Sequence, residues 1–159
     1  MKPLLSLIII LFSIVICSHP LLSQPHITES DVPAERGFRA VVLLKGLEHP
    51  WGMVWLPDGD VLVTERPGRL RRVRDGRLAS SSIAGVPEVF DSGQGGLLDI
   101  SLHPRFEQNR RVYFTYAHGN TIANRTRVAT AVLNGNRLEN WRVIFEVATN
   151  KFGGQHFGS

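Results

Sequence analysis

The stretch HPWGMVWLPDGDVLVTERPGRLRRV, residues 49–73, decides the fold class of this chain. It holds three short runs rich in valine, leucine and aromatic residues, and turn-forming proline, aspartate and glycine separate the runs. Runs of this length and composition predict β-strands, because a helix of comparable burial needs a longer segment with a 3.6-residue period. The stretch therefore predicts one antiparallel sheet that packs on both faces.

The same pattern extends in both directions from this stretch. Asp75-Gly76 and Asn134-Gly135 are dipeptides that favour tight hairpin turns. Residues 106–110 could form one helical turn, and no stretch shows a sustained helical period. The predicted strands are residues 38–44, 51–56, 61–65, 70–74, 96–102, 111–116, 125–133 and 142–147. We thus predict an all-β fold. Sandwich, barrel and propeller all remain open on this pattern, and roughly 50 residues per group of four strands favours propeller blades.

The first 37 residues differ in composition from the rest. Residues 1–23 have a positive start, an apolar centre and a small-residue exit, which predicts a secretory signal peptide; a retained N-terminal anchor is the alternative. Residues 24–37 are polar, contain two prolines and are interpreted as a leader or linker. Cys17, the single cysteine, would leave with the signal. We therefore expect an exported protein, periplasmic or extracellular, that is soluble after signal removal and has no disulfide.

The chain is basic, with a formal net charge of +4 and a pI of about 9.8. Six arginines crowd residues 66–77, but Glu65 and Asp75 interrupt the cluster and no aromatic residue interleaves it. Nucleic-acid binding predicts a clustered basic face, commonly with aromatic side chains that stack on bases. We interpret the arginines instead as a solvated basic face and predict no nucleic-acid partner.

Three phrases resemble one enzyme family. GLEHPWGMVWLPDGDVLVTERPGRLRRV (residues 46–73), GVPEVFDSGQGGLLDISLHPRFEQNRRVYFTYA (residues 85–117) and GGQHFGS (residues 153–159) are similar to motifs of the soluble pyrroloquinoline quinone (PQQ)-dependent aldose sugar dehydrogenases, which include soluble glucose dehydrogenase. The resemblance is most specific at residues 93–99. It implies a six-bladed β-propeller. Residues 38–159 would be its truncated N-terminal part, about two blades and the start of a third, and we expect this part to be inactive alone.

The resemblance also implies roles for individual residues. His156 matches the catalytic base of the family, and Gln94 matches a glutamine that contacts sugar or cofactor. Gln155 is a weaker candidate for contact, because relatives usually carry Asn or Asp at that position. From the residues alone, a histidine in a glycine-rich turn is more often structural, and a turn glutamine is often satisfied by backbone.

The family implies PQQ as cofactor, calcium beside it, an aldose substrate and an external electron acceptor; a homodimer is left open. The calcium ligands and the basic side chains that hold PQQ are expected from later blades, so no metal ligand is assigned in this segment. The rival interpretation is a secreted, non-catalytic propeller that binds carbohydrate or protein. Residues 124–126, Asn-Arg-Thr, also match a glycosylation acceptor, a pattern that is common by chance.

Overall fold

The computed structural model describes residues 41–158. The predicted signal peptide, the leader and the first residues of the first predicted strand lie outside the described residues. Within 41–158, eight strands form two four-stranded antiparallel sheets, and the single helix is one turn long. No helix in this range is long and apolar enough to cross a bilayer. The all-β prediction and the helical turn are confirmed.

The strands of each sheet follow one another in chain order, the meander of a propeller blade. The first sheet consists of β1 (Pro50–Trp55), β2 (Val61–Glu65), β3 (Arg69–Arg74) and β4 (Arg77–Leu78). The second consists of β5 (Leu97–Leu102), β6 (Arg111–Gly119), β7 (Asn124–Asn134) and β8 (Arg137–Glu146), with α1 (Phe106–Asn109) between β5 and β6.

Two predicted strands need correction. Residues 41–44 are not a strand; the first sheet is completed instead by β4, which follows the Asp75-Gly76 turn. Both turn residues have positive φ, 50° and 70°, so the turn folds the chain straight back onto β3. The last strand begins at residue 137 rather than 142, because Gly135 and Asn136 suffice for its hairpin. Asn140 has a left-handed backbone (φ 53°), which interrupts the alternation of apolar and polar residues along the strand. The sequence pattern therefore did not reveal the early start.

The main core lies between the two sheets. Leu62 and Leu70 of the first sheet share one buried apolar cluster with Ile100 and Phe114 of the second. Trp141 stacks on Phe114 with ring centroids 5.0 Å apart. The two sheets therefore pack face to face, in agreement with the prediction of a sheet that packs on both faces.

The arginine-rich strand corrects the prediction of a solvated basic face. The side chain of Glu65 has no exposed surface and accepts from Arg69 at 2.6 Å and from Arg71 at 3.4 Å. Asp60, 7% exposed, bonds Arg74 at 2.6 Å. Burial raises the pKa of Glu65, but the amide of residue 48 and the two guanidinium groups outweigh it, so the net pKa is lowered. Much of this positive charge is thus neutralised by buried carboxylates.

Arg66 connects the starts of β1 and β5. Its backbone N–H donates to the carbonyl of His49 at 3.0 Å, just before β1. Its carbonyl accepts from Leu97, the first residue of β5, at 2.9 Å. A Cβ on Gly96 would lie 2.3 Å from the same carbonyl, so the approach requires glycine. The two strands therefore begin at the same end of the molecule, and this end carries the candidate site.

Candidate functional site

Two glycine-rich loops meet at this end. The first, called here the glutamine loop, comprises residues 91–96 and leads into β5; the second, the histidine loop, comprises residues 151–158 and follows β8. Gln94 N–H donates to the carbonyl of Gly154 at 2.6 Å. A Cβ on Gly93 would lie 2.4 Å from that carbonyl, and one on Gly154 would lie 2.5 Å from the carbonyl of Ser92. Glycine at both positions therefore lets the two backbones touch.

The side chain of Gln94 holds the backbone of His156. Its Oε1 accepts from the His156 N–H at 3.0 Å. His156 has φ 58°, a left-handed conformation that is uncommon outside glycine, although asparagine, aspartate and histidine adopt it more often than other residues. Since an amide N–H can only donate, this bond orients the glutamine, and its Nε2 group becomes the free end. A residue 62 positions away thus stabilises the conformation in which His156 is displayed.

The imidazole of His156 is open to solvent. The residue is exposed, and none of residues 41–158 hydrogen-bonds its ring. A neutral imidazole has one ring nitrogen that can accept a proton. Its position next to the Gln94 amide places a proton acceptor and a hydrogen-bond donor on one surface.

Phe157 anchors the histidine loop. Its side chain, only 6% exposed, packs with Leu98, Ala117 and Phe90, and the ring centroid of Phe90 lies 6.2 Å away. Lys151 Nζ lies 3.3 Å from the centroid of the Phe157 ring and also donates to the carbonyl of Gln155. Burial lowers the pKa of Lys151. The loop is therefore fixed by the buried Phe157 ring and by the contacts of Lys151 with that ring and with Gln155.

Arg66 fixes the glutamine loop. Its Nη1 donates to the carbonyl of Gly93 at 2.5 Å, and its Nη2 pairs with the Asp91 carboxylate at 3.3 Å. Neither Arg66 nor Lys151 was identified from the sequence. Arg66 was indistinguishable there from five neighbouring arginines, and only the contact across 27 residues separates it from them.

The structure brings the three predicted site residues together. Gln94 and His156 are directly bonded, and Gln155 lies between His156 and the Gly154 contact with its side chain exposed. Gln155 is engaged through its backbone carbonyl, which accepts from Lys151. The Gln94 side-chain oxygen accepts from a backbone N–H. This agrees with the alternative interpretation, in which a turn glutamine is satisfied by backbone. The roles of these residues in catalysis or ligand contact stay predictions.

The other three histidines among residues 41–158 lie in different environments. His103 Nδ1 accepts from the N–H of Arg105 at 2.9 Å, which is a structural turn contact. Burial and the nearby Arg127 lower the pKa of His118. His49 is exposed at the same end as the candidate site and also has a left-handed backbone, φ 47°. Across residues 41–158, no three histidine, cysteine or carboxylate side chains are grouped so as to hold a metal ion.

Comparison with known proteins decides the family. The profile of the Glucose / Sorbosone dehydrogenase family matches residues 47–159, which include both sheets and both loops. The chain belongs to this family. Since the solved relatives of this family are propeller sugar dehydrogenases, the two sheets are two blades of a β-propeller.

Two curated proteins are similar in sequence to this chain. An uncharacterized protein of Synechocystis is 63% identical over 129 residues, which are 76% of this chain and 31% of that protein. The aldose sugar dehydrogenase YliI of Escherichia coli is 36% identical over 124 residues, 74% of this chain and 33% of the enzyme. The chain thus spans about a third of the length of these relatives.

Solved structures agree with the sequence matches. A crystal structure of glucose dehydrogenase superposes with a TM-score of 0.69 at 44% identity, covering 73% of this chain and 35% of that one. The PQQ-bound form of an aldose sugar dehydrogenase from Streptomyces coelicolor superposes with a TM-score of 0.58 at 30% identity, covering 66% of this chain and 32% of that one. Both belong with the sugar dehydrogenases, an oxidoreductase family.

Proposed function

We propose that this chain contributes the base and one sugar contact to a PQQ-dependent aldose sugar dehydrogenase. The observation that carries the proposal is the exposed His156 imidazole, which has no hydrogen-bond partner among residues 41–158 and whose backbone is held by Gln94. A solvated histidine on a mobile turn would not need such support. A base that must meet one hydroxyl in one orientation does, because proton transfer requires hydrogen-bond reach.

The reaction removes a hydride from the anomeric carbon of the sugar and a proton from the hydroxyl on that carbon. His156 accepts the proton of the C1 hydroxyl on its free ring nitrogen as the C1–H bond breaks, and the sugar becomes the lactone. When bound, PQQ would supply the acceptor for the hydride. The imidazolium is exposed and returns its proton to solvent, which readies the base for the next turnover. The two electrons leave finally to an external acceptor.

Gln94 has a defined share in this scheme. Its Oε1 accepts from the His156 N–H, and its Nε2 group, which can only donate, has no partner among residues 41–158. It therefore suits an oxygen of the sugar or of the cofactor. The amide of Gln155 also faces open solvent beside the base and could bind a further hydroxyl, where the Asn or Asp usual in relatives has a shorter side chain.

The described residues fit the reacting part of a flat quinone but not its carboxylates. Gly153 and Gly158 of the histidine loop have no atom within 4 Å of the missing Cβ, so their backbones are open to close approach by a planar ring. The two cations that contact these loops are already engaged, Arg66 with Gly93 and Asp91, and Lys151 with Gln155 and Phe157. We therefore place the groups that would bind the cofactor's carboxylates, and the calcium ligands, outside residues 41–158.

The remaining features of the proposal concern location and assembly. We propose that residues 1–23 direct export, so that the mature protein works in the periplasm or outside the cell and meets its sugar there. Fractionation of cells that express the chain from Met1 tests this, since export predicts a periplasmic or extracellular product whose N-terminus begins near residue 24. Light scattering of the purified product tests the open question of a homodimer.

The proposed activity is tested with the product of the complete reading frame. It is reconstituted with PQQ and calcium, and aldose-dependent reduction of a dye is measured beside the 159-residue chain alone. We expect turnover from the complete product and none from residues 1–159, because the cofactor's carboxylate ligands are not among the described residues. Binding of aldose without dye reduction would favour the non-catalytic binding module instead.

A further inference from the structure

The start of β7 carries two polar side chains that face the histidine loop. Asn124 and Thr126 alternate with Arg125, so they lie on one face of the sheet while Arg125 lies on the other. In the β6–β7 register Thr126 pairs with Ala117, which packs against Phe157 of the loop. The Asn-Arg-Thr sequence that matches a glycosylation acceptor is therefore a contact site for the loop. Asn124 has 0% exposure, which closes it to glycosylation in the folded chain.

Asn124 makes four hydrogen bonds to the chain around it through its backbone N–H, its backbone carbonyl and its side-chain Nδ2 group. Its backbone N–H donates to the carbonyl of Lys151 at 3.0 Å, and its carbonyl accepts from the Lys151 N–H at 2.9 Å. Its Nδ2 group donates to the carbonyls of Gly153 at 2.7 Å and Asn120 at 2.9 Å. Both side-chain partners are acceptors, so this position needs a side chain that donates two hydrogen bonds, which an amide does and a carboxylate cannot do.

Thr126 holds the loop on the far side of the histidine. Its Oγ1 donates to the carbonyl of Phe157 at 2.6 Å. The two side chains thus bind residues 153 and 157, one on each side of His156. Arg125, on the opposite face, bonds the side chain of Asn150 at 2.8 Å, immediately before the loop.

We propose that Asn124 and Thr126 are positioning residues. They hold the histidine loop at Gly153 and at Phe157 and so set the orientation of His156. The proposal rests on the proposed function, in which His156 is the base. Three points then define the loop: Asn124 at Gly153, Gln94 at Gly154 and His156, and Thr126 at Phe157. Both clamping side chains bind backbone carbonyls, so the clamp leaves the imidazole free for substrate.

The test replaces the clamping groups one at a time. Thr126→Val removes the hydroxyl at nearly constant volume, and Thr126→Ser restores it. Thr130→Val is the matched control, since Thr130 lies on the same strand and its hydroxyl donates to Val112 at 3.0 Å, away from the loop. Asn124→Asp sets a carboxylate oxygen against two carbonyls, and Asn134→Asp at the other end of β7 is its control. Hydrogen exchange of the amides of residues 151, 153 and 156 and steady-state kinetics of the reconstituted complete product are measured for each.

We expect exchange in residues 151–158 to become about fivefold faster in Thr126→Val and about 30-fold faster in Asn124→Asp, from the loss of one and two hydrogen bonds. Turnover should fall by about tenfold or more with little change in KM, because the base is displaced while sugar contacts remain. Thr126→Ser and both controls should match the parent.

Two outcomes would overturn the clamp. Unchanged loop exchange in Thr126→Val and Asn124→Asp would show that these contacts do not hold the loop. Faster loop exchange with normal turnover, while His156→Ala is inactive, would show that they do not position the base. If Asn124→Asp fails to fold, Thr126→Val decides. Normal turnover in His156→Ala would refute the proposed function instead, a result distinct from either of these.

Discussion

Gly154→Ala should separate the two loops of the candidate site. A Cβ at this position would lie 2.5 Å from the carbonyl oxygen and 2.8 Å from the carbonyl carbon of Ser92, where ordinary contact begins at 3.4 Å. The neighbouring atoms belong to the backbone, so no side chain can rotate away. Relief requires a shift of about 0.9 Å, the difference between 3.4 and 2.5 Å. Such a shift stretches the 2.6 Å bond from Gln94 N–H to Gly154 to about 3.5 Å, where a hydrogen bond is lost.

The expected size of the effect follows from the two bonds that join the loops. Loss of the Gln94–Gly154 bond and of the His156–Gln94 bond removes about 2 kcal/mol, at about 1 kcal/mol each. Local opening should then be about 30-fold more frequent, and hydrogen exchange at the amides of Gln94 and His156 measures it. A displacement of about 1 Å at a catalytic group can reduce turnover by about 100-fold, so the complete product should lose most of its activity.

Gly153→Ala provides the matched control. Gly153 has φ 73° and no atom within 4 Å of its missing Cβ, so alanine there costs about 1 kcal/mol of backbone strain without a clash. It should raise exchange only modestly. The reasoning is refuted if Gly154→Ala exchanges no faster than Gly153→Ala, since the steric contact between the loops would then have no consequence.

Three further predictions concern two ion pairs and the half-buried His118. Glu65→Ala should lower the free energy of unfolding by about 3 kcal/mol in urea titrations, because the guanidinium of the half-buried Arg71 loses its carboxylate; no change would show that the pair is dispensable. The hydrogen bond from Arg74 and its charge hold the pKa of Asp60 below its usual value, so the stabilisation by this pair is complete above about pH 4 and is lost as pH falls towards the folded pKa. Asp60→Asn should flatten the acid side of the plot of unfolding free energy against pH, and an unchanged acid side would contradict the pairing. Burial and Arg127 lower the pKa of His118, so the folded state resists protonation of this histidine and the free energy of unfolding should fall as pH drops below about 6.5. His118→Gln should remove this pH dependence, and a pH dependence that persists would belong to another group.

The sequence predicted most strands because each lies between glycine, proline, aspartate or asparagine residues that favour turns and so mark where a strand ends. Asp75-Gly76 and the apolar runs of residues 51–56 and 61–65 carried this information locally. The error at residues 41–44 has a physical reason, since an apolar run becomes a strand only if a neighbour pairs with it. Val42 and Leu43 remain 73% and 85% exposed, and β4 occupies the outer edge of the sheet instead.

The candidate site was predictable by residue type but not by contact. The glycine-rich settings of Gln94 and His156 suggested close backbone approach, and the structure shows that the two loops approach each other. Long-range contacts could not be read from local patterns. Arg66 could not be distinguished from the other arginines of residues 66–77. Asn124 and Thr126 matched a common glycosylation pattern, and only their burial and hydrogen-bond partners show that they contact the histidine loop.

The central claim is that His156 is the base of an aldose dehydrogenase. The most direct test is the turnover of His156→Ala in the complete product, reconstituted with PQQ and calcium and assayed by dye reduction with saturating aldose. Hydrogen exchange at residue 94 and the unfolding midpoint serve as controls that the loops remain in place. We predict that turnover falls by about 10²–10⁴-fold while quinone binding persists, the usual contribution of a general base. Turnover within a few-fold of the parent would contradict the claim.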